Sequence, residues 1–304
     1  MTATPHAGRT ARRRRVSGAV MAAPALLLFG LFGVLPLGGV LVLGFADWDG
    51  LGTISWSGAD NWTAVFTDAA TWDALWLTVK VMVISWVVQT PISLALGVFQ
   101  APAARWRAVL AVLWFLPLVL SAVAIGLAWQ ALLDPSFGLG SVPGLGFLAE
   151  PLLGSPDLAL YTVIFVIAWQ FIPFHALLYQ AGVRQIPAAL YEAAAIDGAS
   201  RVQRFLVITL PQLRYTLITS STLMLIGSLT YFDLIFVLSG GTGGPGTATR
   251  VLPLAMYITG FQSHDMGRAS VLATTLVVFG LVLSLLITRL SRFTAMDSQQ
   301  EGLT

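Results

Sequence analysis

Cysteine is absent from the 304 residues, and charge is scarce: Asp, Glu, Lys and Arg together make up 10% of the chain. The first absence removes disulfide frames and thiolate metal sites and leaves the redox compartment unmarked. The second removes an ordinary soluble domain, in which about a quarter of the residues are charged. Lysine occurs once, as Lys80, against fifteen arginines. Flanked by Val79 and Val81, it cannot close a phosphate-binding loop, which ends in Gly-Lys-Ser/Thr. His6, His175 and His264 lie too far apart for an HExxH zinc site, and neither a G-x-S-x-G elbow nor the paired inner carboxylates of a metal-dependent transferase occur. An intramembrane enzyme is disfavoured on these missing constellations.

What remains is apolar. Hydrophobic residues make up 57% of the chain and the mean hydropathy is +0.82. Crossing a hydrocarbon core takes about 20 apolar residues at 1.5 Å of helical rise each. Six segments qualify, at about 20–45, 75–99, 108–132, 158–180, 213–238 and 269–290. Pro24, Pro36, Pro91, Pro117 and Pro173 fall inside them, which a bundle tolerates where neighbouring groups take up the freed carbonyls. The expected fold is all-α and polytopic, a six-span domain over 20–290 between a basic tail, 1–19, and a short polar tail, 291–304.

Charge sets the orientation. Thirteen of the sixteen basic residues, including Arg12 to Arg15, Arg105, Arg107, Arg184, Arg201, Arg204 and Arg214, fall on one side; Lys80, Arg250 and Arg268 fall on the other. The positive-inside rule then puts both termini in the cytoplasm. The first apolar run is too long for a signal peptide, whose core is ~7–15 residues, and it is expected to stay as a span. The outer loops become 46–74, 133–157 and 239–268; Trp48, Trp56, Trp62 and Trp72 in the first suit interfacial anchors. The stretch SGGTGGPGTAT opens the last one and reads as a flexible loop. No internal repeat is evident.

Between the fourth and fifth spans lies an inner loop, about 181–211, reading AGVRQIPAALYEAAAIDGASRVQRFLVITLP. Pro187 suits a first helical turn, residues 188–196 favour helix, Asp197-Gly198 reads as its end, and Ser200 can cap a second helix that stops before Pro211. Leu190, Ala193, Ala194 and Asp197 share one face of the first helix, where small residues admit a close partner and Glu192 with Asp197 offers negative charge. On composition alone this helix is either a docking element or a connector resting on lipid.

The loop resembles the EAA loop of ATP-binding-cassette importer permeases: Glu192-Ala193-Ala194, three residues, Gly198, nine residues, then Ile208-Thr209-Leu210-Pro211. Phe115-Leu116-Pro117, Trp129 and Asp134-Pro135 through Gly138 resemble the third-span signature of carbohydrate-importing members. Phe232-Asp233-Leu234-Ile235, Gly243-Gly244-Pro245 and Thr249 are similar to the permease of each pair that resembles the first maltose permease subunit. Leu77, where the family often has Asn, and the loop GLGSVPGL, which lacks the usual Asn, depart from the pattern.

The resemblance implies a type I importer permease in the cell membrane, half of a heterodimeric pore with a homologous second permease. It implies a cytoplasmic ATPase dimer, with ATP and magnesium on that partner and no cofactor in this chain, an extracytoplasmic solute-binding protein, and a sugar as solute, with membrane lipid but no nucleic acid in contact. Glu192, Ala193, Ala194, Asp197 and Gly198 would couple to the ATPase. Solute contacts are expected among Trp129, Gln130, Trp169, Gln170, Tyr231, Phe232 and Asp233, aromatic and amide or carboxylate groups inside spans, as saccharide faces and hydroxyls require. An ion-coupled secondary transporter is the alternative, since Asp233 and His175 would lie at membrane depth; the absence of duplication and the docking-type loop speak against it.

Overall fold

The computed structural model describes residues 21–291. The expected basic tail, 1–19, and all but the first residue of the expected tail 291–304 lie outside the described residues, as do Arg9, Arg12 to Arg15 and Arg292. Among the described residues, four helices are long and apolar enough to cross a membrane: α1 (Met21–Leu43), α3 (Ala69–Gln100), α6 (Ala159–Arg184) and α12 (Met266–Ser291). They coincide with the expected first, second, fourth and sixth spans. Within α1 the chain takes a π-turn at Gly30–Val34, just before Pro36, where the proline removes a donor from the helical ladder. The same device precedes Pro211, at Phe205–Thr209.

The expected third and fifth spans are not single helices. In the third, α4 (Arg105–Val119) and α5 (Ala122–Leu132) meet at 98°. Leu120 and Ser121 are extended there, and the Ser121 hydroxyl accepts from the Ala124 N–H at 3.1 Å, capping a new helix where continuation was expected. Counted as one bent span, the pair gives five candidates among the described residues. In the fifth, α9 (Arg214–Ser228) ends before α10 (Asp233–Leu238). The Thr230 hydroxyl donates to the Gly227 carbonyl at 2.7 Å, and Asp233 starts α10 with its carboxylate in the first turn, where the helix dipole favours it. Tyr231 and Phe232 therefore lie between helices.

The bundle is centred on α3 and α6. Ser93 Oγ donates to Ile172 O at 3.2 Å, Gln180 Nε2 to Gln100 O at 2.9 Å and Arg184 Nε to Ala101 O at 3.1 Å. Both residue numbers rise together, so the two helices run parallel. Gly97 permits the approach: a Cβ there would lie 2.7 Å from both Ala176 O and Tyr179 Cβ. Around this pair, Val81, Ile125, Val163, Ile167, Ile235 and Leu254 form the main apolar core.

The connecting segments are more ordered than expected. Residues 46–74 hold a short hairpin, β1 (Ala46–Asp47) with β2 (Ser55–Trp56), and helix α2 (Asp60–Thr67). Asn61 Nδ2 ties that helix to Ala46 O at 2.8 Å. Trp56 and Trp62 flank Phe45 at ring distances of 5.8 and 5.3 Å, and Phe66 links Trp62 to Trp72. The glycine-rich stretch at 239–249 is folded, not loose: Thr249 N–H donates to Gly243 O at 2.7 Å and Arg250 Nη2 to Thr242 O at 3.0 Å. It leads into α11 (Leu252–Tyr257), whose first N–H is received by the buried Thr78 hydroxyl at 2.8 Å.

Candidate coupling helix and solute cavity

At the arginine-rich end of the bundle, α7 (Ala188–Ile196) and α8 (Arg201–Arg204) form the helix–turn–helix expected from sequence, except that helical backbone runs on from α8 through Pro211 to Gln212 where a stop before the proline was expected. The turn is a Schellman motif: the Ala199 N–H reaches Ala194 O at 2.9 Å, the Gly198 N–H reaches Ala195 O at 3.2 Å, and Gly198 has φ +77°. A capping box follows, Ser200 Oγ receiving the Gln203 N–H while Gln203 Oε1 receives the Ser200 N–H at 2.7 Å. The bend is therefore well defined although no residue of α7 is buried.

Glu192, Ala193, Asp197 and Gly198 are exposed and Ala194 half-buried. Neither acid has an ion-pair partner among the described residues. Ile196 at the tip is 87% exposed. One side chain fastens the helix: the Tyr191 hydroxyl shares a hydrogen bond with Thr209 Oγ1 at 2.9 Å, tying α7 to the π-turn that leads into α9. Nothing in the sequence marks Tyr191 and Thr209, the latter seen there only within the Ile208–Pro211 motif, as a pair; a tyrosine next to Glu192 carries no signal for a partner eighteen positions away.

A cavity of about 550 Å³ opens where α9 breaks, lined among others by Gln170, Phe171, His175, Tyr231, Phe232 and Asp233. Four of the expected solute residues, Gln170, Tyr231, Phe232 and Asp233, thus come together. The other three do not line it. Trp129 is packed edge-on against Phe165 at 5.3 Å and Trp169 at 5.5 Å, and Gln130 Nε2 donates to Val237 O at 2.7 Å, bracing α5 on α10. Phe171 and Tyr231 face each other at 5.4 Å, and His175 Nδ1 is 2.9 Å from Ser220 Oγ.

A buried polar seam adjoins the cavity through Gln170. Ser85, Gln89 and Ser93 lie at helical spacing on one face of α3, each no more than 2% exposed. Ser85 Oγ, both amide atoms of Gln89, Gln170 Oε1 and the Tyr179 hydroxyl have no hydrogen-bond partner among the described residues. Gln89 lies beside Tyr231, and Tyr179 beside Ser220, whose hydroxyl is engaged with His175. The i, i+4, i+8 recurrence of polar residues in an apolar run was the available signal. Among the described residues, no three His, Asp or Glu side chains converge to hold a metal.

Comparison with known proteins follows this geometry. The family model described as binding-protein-dependent transport system inner membrane component matches residues 90–295. A probable ABC transporter permease of Pyrococcus horikoshii is 32% identical, over 86% of this chain and 91% of the relative. A trehalose/maltose transport system permease of Thermococcus litoralis is also 32% identical, over 89% and 91%. Among solved structures, a bacterial ABC transporter involved in import of the acidic polysaccharide alginate superposes with a TM-score of 0.80 at 24% identity, covering 92% of this chain and 96% of that one.

Proposed function

Because the chain belongs to the binding-protein-dependent transport system inner membrane components, multi-pass proteins of the cell membrane, we propose that it is one permease of a two-permease pore that imports a sugar or oligosaccharide at the expense of ATP. The observation that carries this reading is α7: a rigid, bent element with exposed small and acidic residues, projecting from a bundle that holds no nucleotide loop of its own. An ATPase dimer carrying ATP and magnesium grips it. Glu192 and Asp197 meet basic groups there, Ala193 and Ala194 admit close approach, and Gly198 sets the turn. The arginine-rich end faces the cytoplasm, and with it both termini, the loop at about 181–211 and the tails.

Closure of the ATPases moves α7, and the Tyr191–Thr209 bond passes the movement to α9. The break at the far end of α9 is the floor of the cavity, so a shift there changes the placement of Tyr231 and Asp233. The cavity volume is within the ~300–1,000 Å³ of small-ligand sites. Its aromatic faces, Phe171, Tyr231 and Phe232, suit the apolar face of a pyranose, and Gln170 and Asp233 suit its hydroxyls. Trp129, Gln130 and Trp169 support the wall. A solute-binding protein delivers the sugar from outside, and the second permease supplies the other half of the path. The trehalose/maltose relative supports the solute class.

The test is uptake of labelled saccharide by cells carrying the full transporter with Gly198→Trp in this chain. Loss of uptake with continued ATP hydrolysis and normal membrane insertion is expected; normal uptake overturns the coupling assignment.

A further inference from the structure

A second cavity, of about 690 Å³, lies at the arginine-rich end between the tips of α3 and α6 and the elements α7 and α8. Arg184, Arg201 and Arg204 line it, together with Pro102, Tyr191 and Phe205, and no carboxylate among the described residues does. Arg184 spends its Nε on Ala101 O at 3.1 Å. The guanidinium groups of Arg201 and Arg204 have no hydrogen-bond or ion-pair partner among the described residues. Three cations around one concavity repel one another, and an anion seated among them relieves that. A guanidinium presents a planar fork that matches phosphate oxygens two at a time.

The surroundings show at what depth that anion sits. Val202, Leu206 and Val207, on the stretch that carries the arginines, are 67%, 52% and 74% exposed. Cationic residues on one side and bare aliphatics on the other are the pattern of an element bedded at the headgroup boundary. On the other rim, the turn containing Pro102 joins the exposed rings of Phe99 and Trp106, which carry the Arg107 guanidinium at 5.2 and 5.1 Å. Amphipathic aromatics of this kind mark the membrane–water interface. The cavity therefore opens at the level of lipid phosphates, with apolar surface beside it for acyl chains.

We propose that this cavity is a site for the phosphodiester headgroup of an anionic phospholipid of the same leaflet, held by Arg184, Arg201 and Arg204. The lipid braces the coupling helix, because the Tyr191–Thr209 pair that fastens α7 forms part of the same wall.

The experiment is a titration of the full-length chain, purified in detergent, with phosphatidylglycerol, phosphatidylcholine or inorganic phosphate, read by native mass spectrometry and by melting temperature. A phosphatidylglycerol adduct and a raised melting temperature are expected, with neither from phosphatidylcholine. Affinity should fall about fivefold for each arginine replaced, reaching about a hundredfold in R184Q/R201Q/R204Q, given about 1 kcal/mol per basic residue at a membrane surface. R250Q, at the opposite end, should bind as wild type. R204Q alone keeps the test open if the triple variant does not fold. Equal retention of both lipids, or wild-type preference in R204Q and the triple variant, overturns the proposal. A matching shift from inorganic phosphate overturns the lipid assignment in favour of a free-anion site.

Discussion

Gly198 carries two demands that substitution can separate. Its φ of +77° disfavours a β-carbon by about 1 kcal/mol, yet a Cβ built there meets nothing within 4 Å in this chain. Gly198→Asn, which tolerates the left-handed region, is expected to keep most uptake, whereas Gly198→Trp loses it through the partner's cleft; equal loss in both would make the backbone the sole constraint. Tyr191→Phe removes the 2.9 Å bond to Thr209, worth about 1 kcal/mol, and is expected to lower uptake while ATP hydrolysis persists. In the cavity, Tyr231→Ala and Asp233→Asn should each reduce initial uptake by about tenfold, equivalent to about 1.4 kcal/mol; wild-type rates in both would remove them from the solute path. At this scale the sequence was legible where residues form a local pattern, as at 192–198. Of the residues expected on a solute path, Gln170, Tyr231, Phe232 and Asp233 line one cavity, whereas Trp129 and Trp169 pack on each other, since an aromatic in a span carries no mark distinguishing packing from recognition.

Among the elements, hydropathy located the apolar runs and missed the places where they break. Composition is continuous across Leu120–Ser121 and across Thr230–Phe232, and the break depends on competing local hydrogen bonds from Ser121 and Thr230. Those breaks matter, because residues beside both of them, Leu118 and Ala122 at the first and Thr230 to Asp233 at the second, line the cavity. The parallel contact of α3 and α6 offers two tests. Gly97→Val would place its methyl groups against Ala176 and Tyr179, costing at least about 1–3 kcal/mol, and should reduce the yield of folded protein in membranes. Gln89→Leu replaces a buried amide that lies beside Tyr231 and has no hydrogen bond of good geometry among the described residues, so its melting temperature should equal or exceed that of wild type while uptake falls. A marked loss of stability would mean that the amide is satisfied in the resting state.

For the molecule as a whole, the proposed function makes the chain a transmission: α7 as the handle, the cavity beside the break after α9 as the solute site, and the Tyr191–Thr209 bond as a junction between them. That Lys80 sits in no phosphate-binding loop was plain from the sequence. The proposed route between handle and cavity was not legible, because Tyr191, Thr209 and the break after α9 are related only in three dimensions. The most direct measurement is solute accumulation in sealed vesicles that hold this permease, its second permease and the ATPase, supplied with the binding protein. The account predicts accumulation only with hydrolysable ATP, and its loss on Glu192→Lys with the ATPase still turning over. Accumulation by vesicles containing this chain alone, driven by an ion gradient without nucleotide, would contradict it.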